Sequence, residues 1–341
     1  MQSEGGVLVK HYRELAYMGF IPVIFNLKTI LNNLRFCESD LSAYKPDVVI
    51  LVDYPGFNLK IARFVKEKIA IPVVYYISPK IWAWKGGRIK VIRKYVDQML
   101  CIFPFEVPFY KNLAYPVVYV GNPTVDVITL QKNNKETFDR FICRNQLPEK
   151  PIIALLPGSR KQEIKNNLPT MLAAASTFSD FQLVIGGAPG IHPDFYRSFL
   201  KNYPGFVIFD QTYDLLQQSK AALVTSGTAT LETALLRIPQ AVCYKMKFKH
   251  LSGFIWKHFF KVKYISLVNL IADKMLVREL FNEWFSEKNI RNELTDLLYN
   301  TSYINSIQSG YNEVIDQLGA SGASDRAAQI IISIKPPQYN G

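Results

Sequence analysis

Histidine and cysteine are scarce in this 341-residue chain, with four of each. Cys37, Cys101, Cys143 and Cys243 lie far apart, with neither a disulfide framework nor zinc spacing, so free and buried thiols are the default expectation. His11, His192, His250 and His258 form no metal-spaced set and read as satisfied surface residues. No apolar run approaches the roughly 18 to 20 residues of a membrane span, which excludes a helical membrane protein. Neither a signal-peptide pattern nor paired cysteines argue for export, so a reducing cytoplasm is expected. Gly-x4-Gly-Lys-Ser/Thr is absent, no Gly-x-Gly-x-x-Gly follows a strand, and there is no Asp-x-Asp. Those absences exclude a P-loop, a dinucleotide fingerprint and an obvious carboxylate set for a nucleotide-bound metal. Solenoid repeats and low-complexity tracts are lacking too. Acid is in deficit: 28 Asp and Glu against 40 Lys and Arg give a net charge of +12, with a pI near 9.3. That balance favours an anionic partner: nucleic acid, anionic lipid headgroups or a phosphorylated substrate.

What is present is ordinary for a globular protein, with 49% hydrophobic and 20% charged residues. The length exceeds one typical core, so two domains are expected. Short apolar runs alternate with helix-like segments: "DVVILVD" (47–53), "IPVVYYIS" (71–78), "QMLCIF" (98–103) and "PVVYVG" (116–121). A polar connecting helix and linker follow, and then a second series: "PIIALLP" (151–157), "FQLVIGG" (181–187), "GFVIFD" (205–210), "AALVTSG" (221–227) and "PQAVCYKM" (239–246). Near-continuous apolar strands predict parallel sheets covered on both faces. The expected architecture is α/β, with two doubly wound, Rossmann-like domains facing a cleft. Its bounds are 1–124, a linker 125–150, and 151–341, with C-terminal helices from about residue 267.

Ligands of such sheets gather at the carboxyl ends of the strands. At one end, "ALLPGSR" (154–160) turns into "KQEIKNNLPTMLAAAS", with helical spacing through Ile164, Leu168 and Leu172. Gly158, Ser159 and Arg160 thus sit where a helix dipole and free N–H groups attract an anion, and Arg160 offers a two-pronged contact. An ordinary βα turn with a surface arginine explains the same residues. "TSGTATLE" (225–232) is a second such corner, in which Ser226, Gly227 and Thr228 suit a diphosphate and Glu232 suits ribose hydroxyls. A well-capped helix is its bland reading. Two such corners in one domain favour a nucleotide.

In the first half, Asp53 closes a strand ahead of "YPGFN" and is a candidate general base, or else a helix cap or brace for the Pro55-Gly56 turn. "SPKIWAWKGGRIK" (78–90) gathers Trp82, Trp84, Lys85 and Arg88, which suit a sugar ring, an acyl chain or a phosphate, while core packing is the common fate of any single tryptophan. Glu106, in "FPFE" (103–106), is a weaker acidic candidate. Between 245 and 273, Lys245, Lys247, Lys249, Lys257, Lys261 and Lys263 interleave with Phe248, Phe254, Trp256, Phe259 and Phe260. That pattern suits the headgroup boundary of an anionic membrane, or a basic solvent face over a packed apolar one. It matches no nucleic-acid module, so nucleic acid is not an expected partner.

Taken in order, "MQSEGG" (1–6), "ELAYMGF" (14–20), "KPDVVILVDYPGFN" (45–58), "YISPKIWAWK" (76–85), "FPFE" (103–106), "YVGNP" (119–123), "LLPGSR" (155–160), "TSGTATLE" (225–232), "YKM" (244–246), "YISLVNLIA" (264–272) and "RELF" (278–281) resemble the lipid-A-disaccharide synthase family. These are glycosyltransferases of GT-B architecture, and the resemblance spans nearly the whole sequence. It implies an inverting, metal-independent hexosyltransferase without a cofactor. The implied reaction moves 2,3-diacylglucosamine from its UDP derivative to the 6-hydroxyl of 2,3-diacylglucosamine 1-phosphate (lipid X), making a β-1,6 disaccharide and UDP. Asp53 matches the family's essential aspartate, and Asn269 and Glu279 fall in segments that resemble nucleotide-contacting ones. The C-terminal helices resemble those through which some members form an intertwined homodimer. Peripheral attachment to the cytoplasmic face of a Gram-negative inner membrane is implied as well. Two departures stand out. The sequence begins downstream of the family's first strand and glycine-rich "GEASGD"-like loop, the mark of a misplaced start or a truncated synthase. The family's second acid in "DAPDF" is Gly56. The rival expectations are a UDP-N-acetylhexosamine 2-epimerase-like enzyme and a non-catalytic UDP- or lipid-binding remnant.

Overall fold

The computed structural model describes residues 4–11, 27–131, 136–245 and 263–334. All sheet pairing in them is parallel, and there are two sheets. The first has four strands, β1 (Val49–Val52), β2 (Val73–Tyr76), β3 (Gln98–Cys101) and β4 (Val118–Tyr119), in the order β1-β2-β3-β4. The second has six: β5 (Ile152–Leu156), β6 (Gln182–Gly187), β7 (Phe206–Phe209), β8 (Ser219–Val224), β9 (Gln240–Tyr244) and β10 (Glu279–Phe281). Their order is β10-β9-β8-β5-β6-β7. Counted from β5, this is the doubly wound 3-2-1-4-5-6 arrangement read from its far end, and its switch point lies between β5 and β8.

The helices of the first half are α1 (Leu27–Tyr44), α2 (Pro55–Phe64), α3 (Ile89–Tyr95), α4 (Glu106–Asn112), α5 (Pro123–Gln131) and α6 (Phe138–Arg144). Those of the second half are α7 (Lys161–Ala175), α8 (Pro193–Leu200), α9 (Thr212–Gln217), α10 (Thr228–Leu235), α11 (Leu267–Ala272), α12 (Glu287–Tyr299), α13 (Thr301–Leu318) and α14 (Ala323–Ile332). Pro55 opens α2, where its fixed φ suits the first turn and its missing N–H costs nothing. In α7 the predicted stripe Ile164, Leu168 and Leu172 is fully buried.

Every strand expected from an apolar run is present. The C-terminal quarter, expected to be helical, also supplies β10, which pairs with β9 through Glu279↔Val242 and Phe281↔Tyr244. Coverage on both faces holds for β5 and β6, whose residues are all buried. It fails at β1: Val49 and Leu51 are buried, whereas Ile50 and Val52 on the opposite face are exposed. The thiol expectation also needs correction, because Cys101 and Cys243 are buried but Cys143 is exposed at the end of α6.

The two sheets share one buried cluster that runs from Val74, Leu100 and Val120 into the β5–β9 core. Residues 320–326 return to the first half of the chain. The Asp126 carboxylate accepts the N–H groups of Gly322, Ala323 and Ser324, which start α14 and would otherwise lack acceptors. Arg326 donates from Nε to Val120 O at 2.8 Å and from its terminal nitrogens to Ser321 O and Ala320 O. Gly121 makes room for it: its φ is +91°, and a Cβ there would collide with Arg326 Nη2.

Candidate active site

The loops after β5 and β8 leave from neighbouring strands at the switch point. Thr225 N donates to Leu156 O at 2.8 Å, so the two corners begin side by side. Gly158 (φ +119°) and Gly227 (φ +148°) bend the two loops, and nothing lies within 4 Å of where a Cβ on Gly227 would stand. Helix geometry leaves the first-turn N–H groups of α7 and α10 without intrahelical acceptors, apart from Thr230 N, which donates to Gly227 O at 3.3 Å.

The β5 corner already holds an anion of its own. Glu163 Oε2 accepts Ser159 N at 3.2 Å, and its Oε1 pairs with Arg160 Nη1 at 3.0 Å. Arg160 remains 61% exposed. Glu163 escaped the sequence reading, although an acid three residues into a helix after a glycine turn is the signal for this kind of capping. At the β8 corner Ser226 Oγ donates to Ile265 O at 2.9 Å. Glu232, one turn into α10, is largely buried, which pushes its carboxyl up, while the Tyr213 hydroxyl donating to it opposes that shift. Tyr213 is in turn pushed up to about 12 by burial and by Glu232.

Glu279 and Asn269 prove to be the frame of a third loop. The Glu279 carboxylate accepts Ile265 N, Ser266 N, Ser266 Oγ and Asn269 Nδ2, all between 2.8 and 3.1 Å. Asn269 is fully buried: Nδ2 donates to Val277 O and Glu279, and Oδ1 accepts Leu276 N and Val277 N. With its carboxamide saturated, Asn269 shapes the 265–266 loop and has no group left for a ligand. This corrects its expected role as a nucleotide contact. Glu279 is only half-buried.

At the rim of the first sheet, Asp53 and Tyr54 both adopt left-handed backbone (φ 43° each). For non-glycine residues this costs about 1–3 kcal/mol apiece and persists only where the surroundings enforce it. The enforcers are visible: Asp53 O accepts the Tyr75 hydroxyl at 2.5 Å and Asn58 Nδ2 at 2.7 Å, and Asn58 also donates to Val52 O. The cap position of α2 is Tyr54, with no side-chain cap bond, so Asp53 is not a helix cap. Among the described residues its exposed carboxylate makes no hydrogen bond or ion pair. Burial and then the Asp53 charge push the Tyr75 phenol up, while Arg88 acts on it in the opposite direction. Asp53, Tyr75 and Arg88 thus share one neighbourhood.

The two tryptophans part company. Trp84 is 44% exposed, with Lys85 Nζ 4.4 Å and Arg88 Cζ 5.7 Å from its ring. Trp82 is only 9% exposed, and its indole donates to Glu106 Oε1 at 3.1 Å. Its expected substrate contact is therefore corrected to a core role. Glu106 is buried and also accepts Ser78 Oγ, Ile102 N and Phe103 N, so it ties the loop after β2 to the corner after β3. Burial pushes its carboxyl up against the pull of these four donors. Of the basic aromatic stretch, residues 246–262 lie outside the described residues. Lys263, just beyond, pairs with Asp273 at 3.4 Å. Among the described residues no three His, Cys, Asp or Glu gather as a metal site, and no helix is long and apolar enough to cross a membrane.

Comparison with known proteins agrees with this layout. Among solved structures, a UDP-GlcNAc 2-epimerase from Neisseria meningitidis bound to UDP-GlcNAc superposes with a TM-score of 0.65 at 14% identity, covering 90% of this chain and 82% of that one. The calicheamicin glycosyltransferase CalG4 gives 0.52 at 14% identity, covering 92% and 80%. At such identities the likeness is one of fold, and it confirms the paired Rossmann-like α/β architecture. Sequence relatives are nearer. Lipid-A-disaccharide synthase of Syntrophus aciditrophicus (strain SB) is 37% identical over 328 residues, 94% of this chain and 84% of that one. Its namesake in Trichlorobacter lovleyi is 34% identical over 340 residues, 98% and 87%. Lipid-A-disaccharide synthase 1 of Legionella pneumophila (strain Lens) is 38% identical over 288 residues, 82% and 73%. A family model described as lipid-A-disaccharide synthetase matches residues 1–334, and the chain belongs to the lipid-A-disaccharide synthase family of glycosyltransferases.

Proposed function

We propose that this chain transfers 2,3-diacylglucosamine from its UDP derivative to the 6-hydroxyl of 2,3-diacylglucosamine 1-phosphate. The observation that carries the reading is the pair of N–H-lined corners at the β5/β8 switch point, in a chain of this family. A diphosphate there meets the first turns of α7 and α10, and Arg160 exchanges Glu163 for a phosphate. Glu232, one turn into α10, takes the ribose side.

Asp53 supplies the base. Its carboxylate accepts the proton of the acceptor 6-hydroxyl as that oxygen attacks the anomeric carbon from the face opposite UDP. The bond from that carbon to the diphosphate oxygen breaks, the configuration inverts, and UDP leaves with the bonding pair. Arg160 and the loop amides hold the charge that builds on the diphosphate. Trp84, Lys85 and Arg88 offer the acceptor an aromatic face and cations for its phosphate. Base catalysis of this type contributes roughly 10²- to 10⁴-fold in rate.

Contact with an anionic inner membrane from the cytoplasmic side, and a homodimer, complete the proposal. The excess of 40 basic over 28 acidic residues supports the first, and the family resemblance of the C-terminal helices supports the second. Release of UDP from UDP-2,3-diacylglucosamine that depends on added acceptor is the test. Consumption of a UDP-sugar without acceptor would indicate an epimerase instead, and UDP binding without turnover a remnant.

A further inference from the structure

Asn167, midway along α7, laces three strand ends together beside the two corners. It is fully buried. Its Nδ2 donates to Pro157 O at 3.3 Å and to Thr225 Oγ1 at 3.1 Å, and its Oδ1 accepts Lys245 N at 3.0 Å. These partners are the first residues beyond β5, β8 and β9, which are neighbours in the order β9-β8-β5. Three residues from Ile164 and one before Leu168, it is a polar group set into the buried stripe of a helix. Only a carboxamide fits: two acceptors and one N–H face it, so a carboxylate would oppose Pro157 O and an aliphatic side chain would strand all three.

We infer that Asn167 is a positioning residue that sets the separation of the two anion corners and through it the grip on the diphosphate. Pairing within the sheet does not need it. The β5–β8 ladder runs to Leu156↔Val224, and Thr225 N closes on Leu156 O. The carboxamide acts one step further out, where the loops diverge and the helices α7 and α10 begin. Without it, Pro157 and Thr225 lose their common tether and the N–H groups that converge on the crevice splay. The inference rests on the nucleotide reading proposed above.

The experiment compares Asn167→Ala and the near-isosteric Thr225→Val, which removes one tether with little change of volume, against Gln182→Ala. Gln182 is another buried carboxamide of this sheet, at the opposite end of β6 and bonded to Pro148 O and Lys150 O. UDP affinity by calorimetry, KM for donor and acceptor, kcat and thermal midpoint are measured for each full-length variant. Asn167→Ala is expected to weaken UDP about tenfold, the scale of a lost buried hydrogen bond. Thr225→Val is expected to weaken it by less, and both raise donor KM while leaving acceptor KM unchanged. Unaltered UDP affinity beside a lowered midpoint would overturn the inference, as would an equal loss of UDP affinity in Gln182→Ala. A wild-type chain that does not bind UDP would remove the nucleotide reading and this inference with it.

Discussion

Replacing Glu106 by glutamine tests how the loop after β2 is held to the corner after β3. In the wild type, Oε1 accepts Ser78 Oγ at 2.5 Å and Trp82 Nε1 at 3.1 Å, while Oε2 accepts Ile102 N at 3.2 Å and Phe103 N at 3.0 Å. Glutamine keeps the shape and must point an NH2 at one of these pairs. Aimed at the backbone pair, it strands two N–H groups. Aimed at Ser78 and Trp82, it strands only the indole, because the hydroxyl can turn and accept. The second orientation wins, at a cost of about 1–3 kcal/mol for one buried unsatisfied donor. In a chain of this size that lowers the melting midpoint by roughly 1–2 °C per kcal/mol.

The pH dependence follows from burial, which raises the Glu106 carboxyl above its ordinary value. The folded chain keeps a proton that the unfolded chain has already lost, so the wild type gains stability below the unfolded pKa and loses it as pH rises through the folded one. Glutamine has no such gain. The gap between wild type and variant, read from thermal melts at several pH values, should therefore be larger in acid than in base. A variant that melts at or above the wild type at neutral pH, or a gap that widens with pH, would refute the reasoning.

Three further outcomes are expected. Arg160→Lys should weaken UDP roughly 10-fold or more in a calorimetric titration, because a point charge cannot replace a two-pronged guanidinium. Asn58→Ala removes the side chain that clamps Asp53 O and Val52 O; kcat should fall by up to about 100-fold, the scale of a misplaced catalytic group, with UDP affinity unchanged. Gly121→Ala combines a left-handed φ with a clash on Arg326, and a urea titration should show a loss of about 1–3 kcal/mol.

The strands were legible because each is a short apolar run with a turn at its end, and parallel strands buried on both faces leave that mark. β10 was not, because three residues beginning with Glu279 carry no pattern, and only pairing with β9 makes them a strand. The two corners could be read from glycine placement and helix starts. Their occupants could not: Glu163 and Asn167 act on the loops through one helical turn or more. Trp82 and Trp84 look alike in sequence, and Glu106, on another strand end, decides which one turns inward. Asn269 shows the limit of reading a role from a segment, since its four bonds lie within its own loop and β10. The exposed face of β1 depends on what packs beside it and leaves no trace in "VILV".

The central claim is that Asp53, held in an unfavourable backbone conformation with its carboxylate unpaired among the described residues, is the base. Asp53→Asn keeps the shape and removes the proton acceptor. Acceptor-dependent UDP release should fall roughly 10²- to 10⁴-fold while the affinity for UDP stays as in the wild type. Turnover equal to the wild type in the asparagine variant would contradict the account.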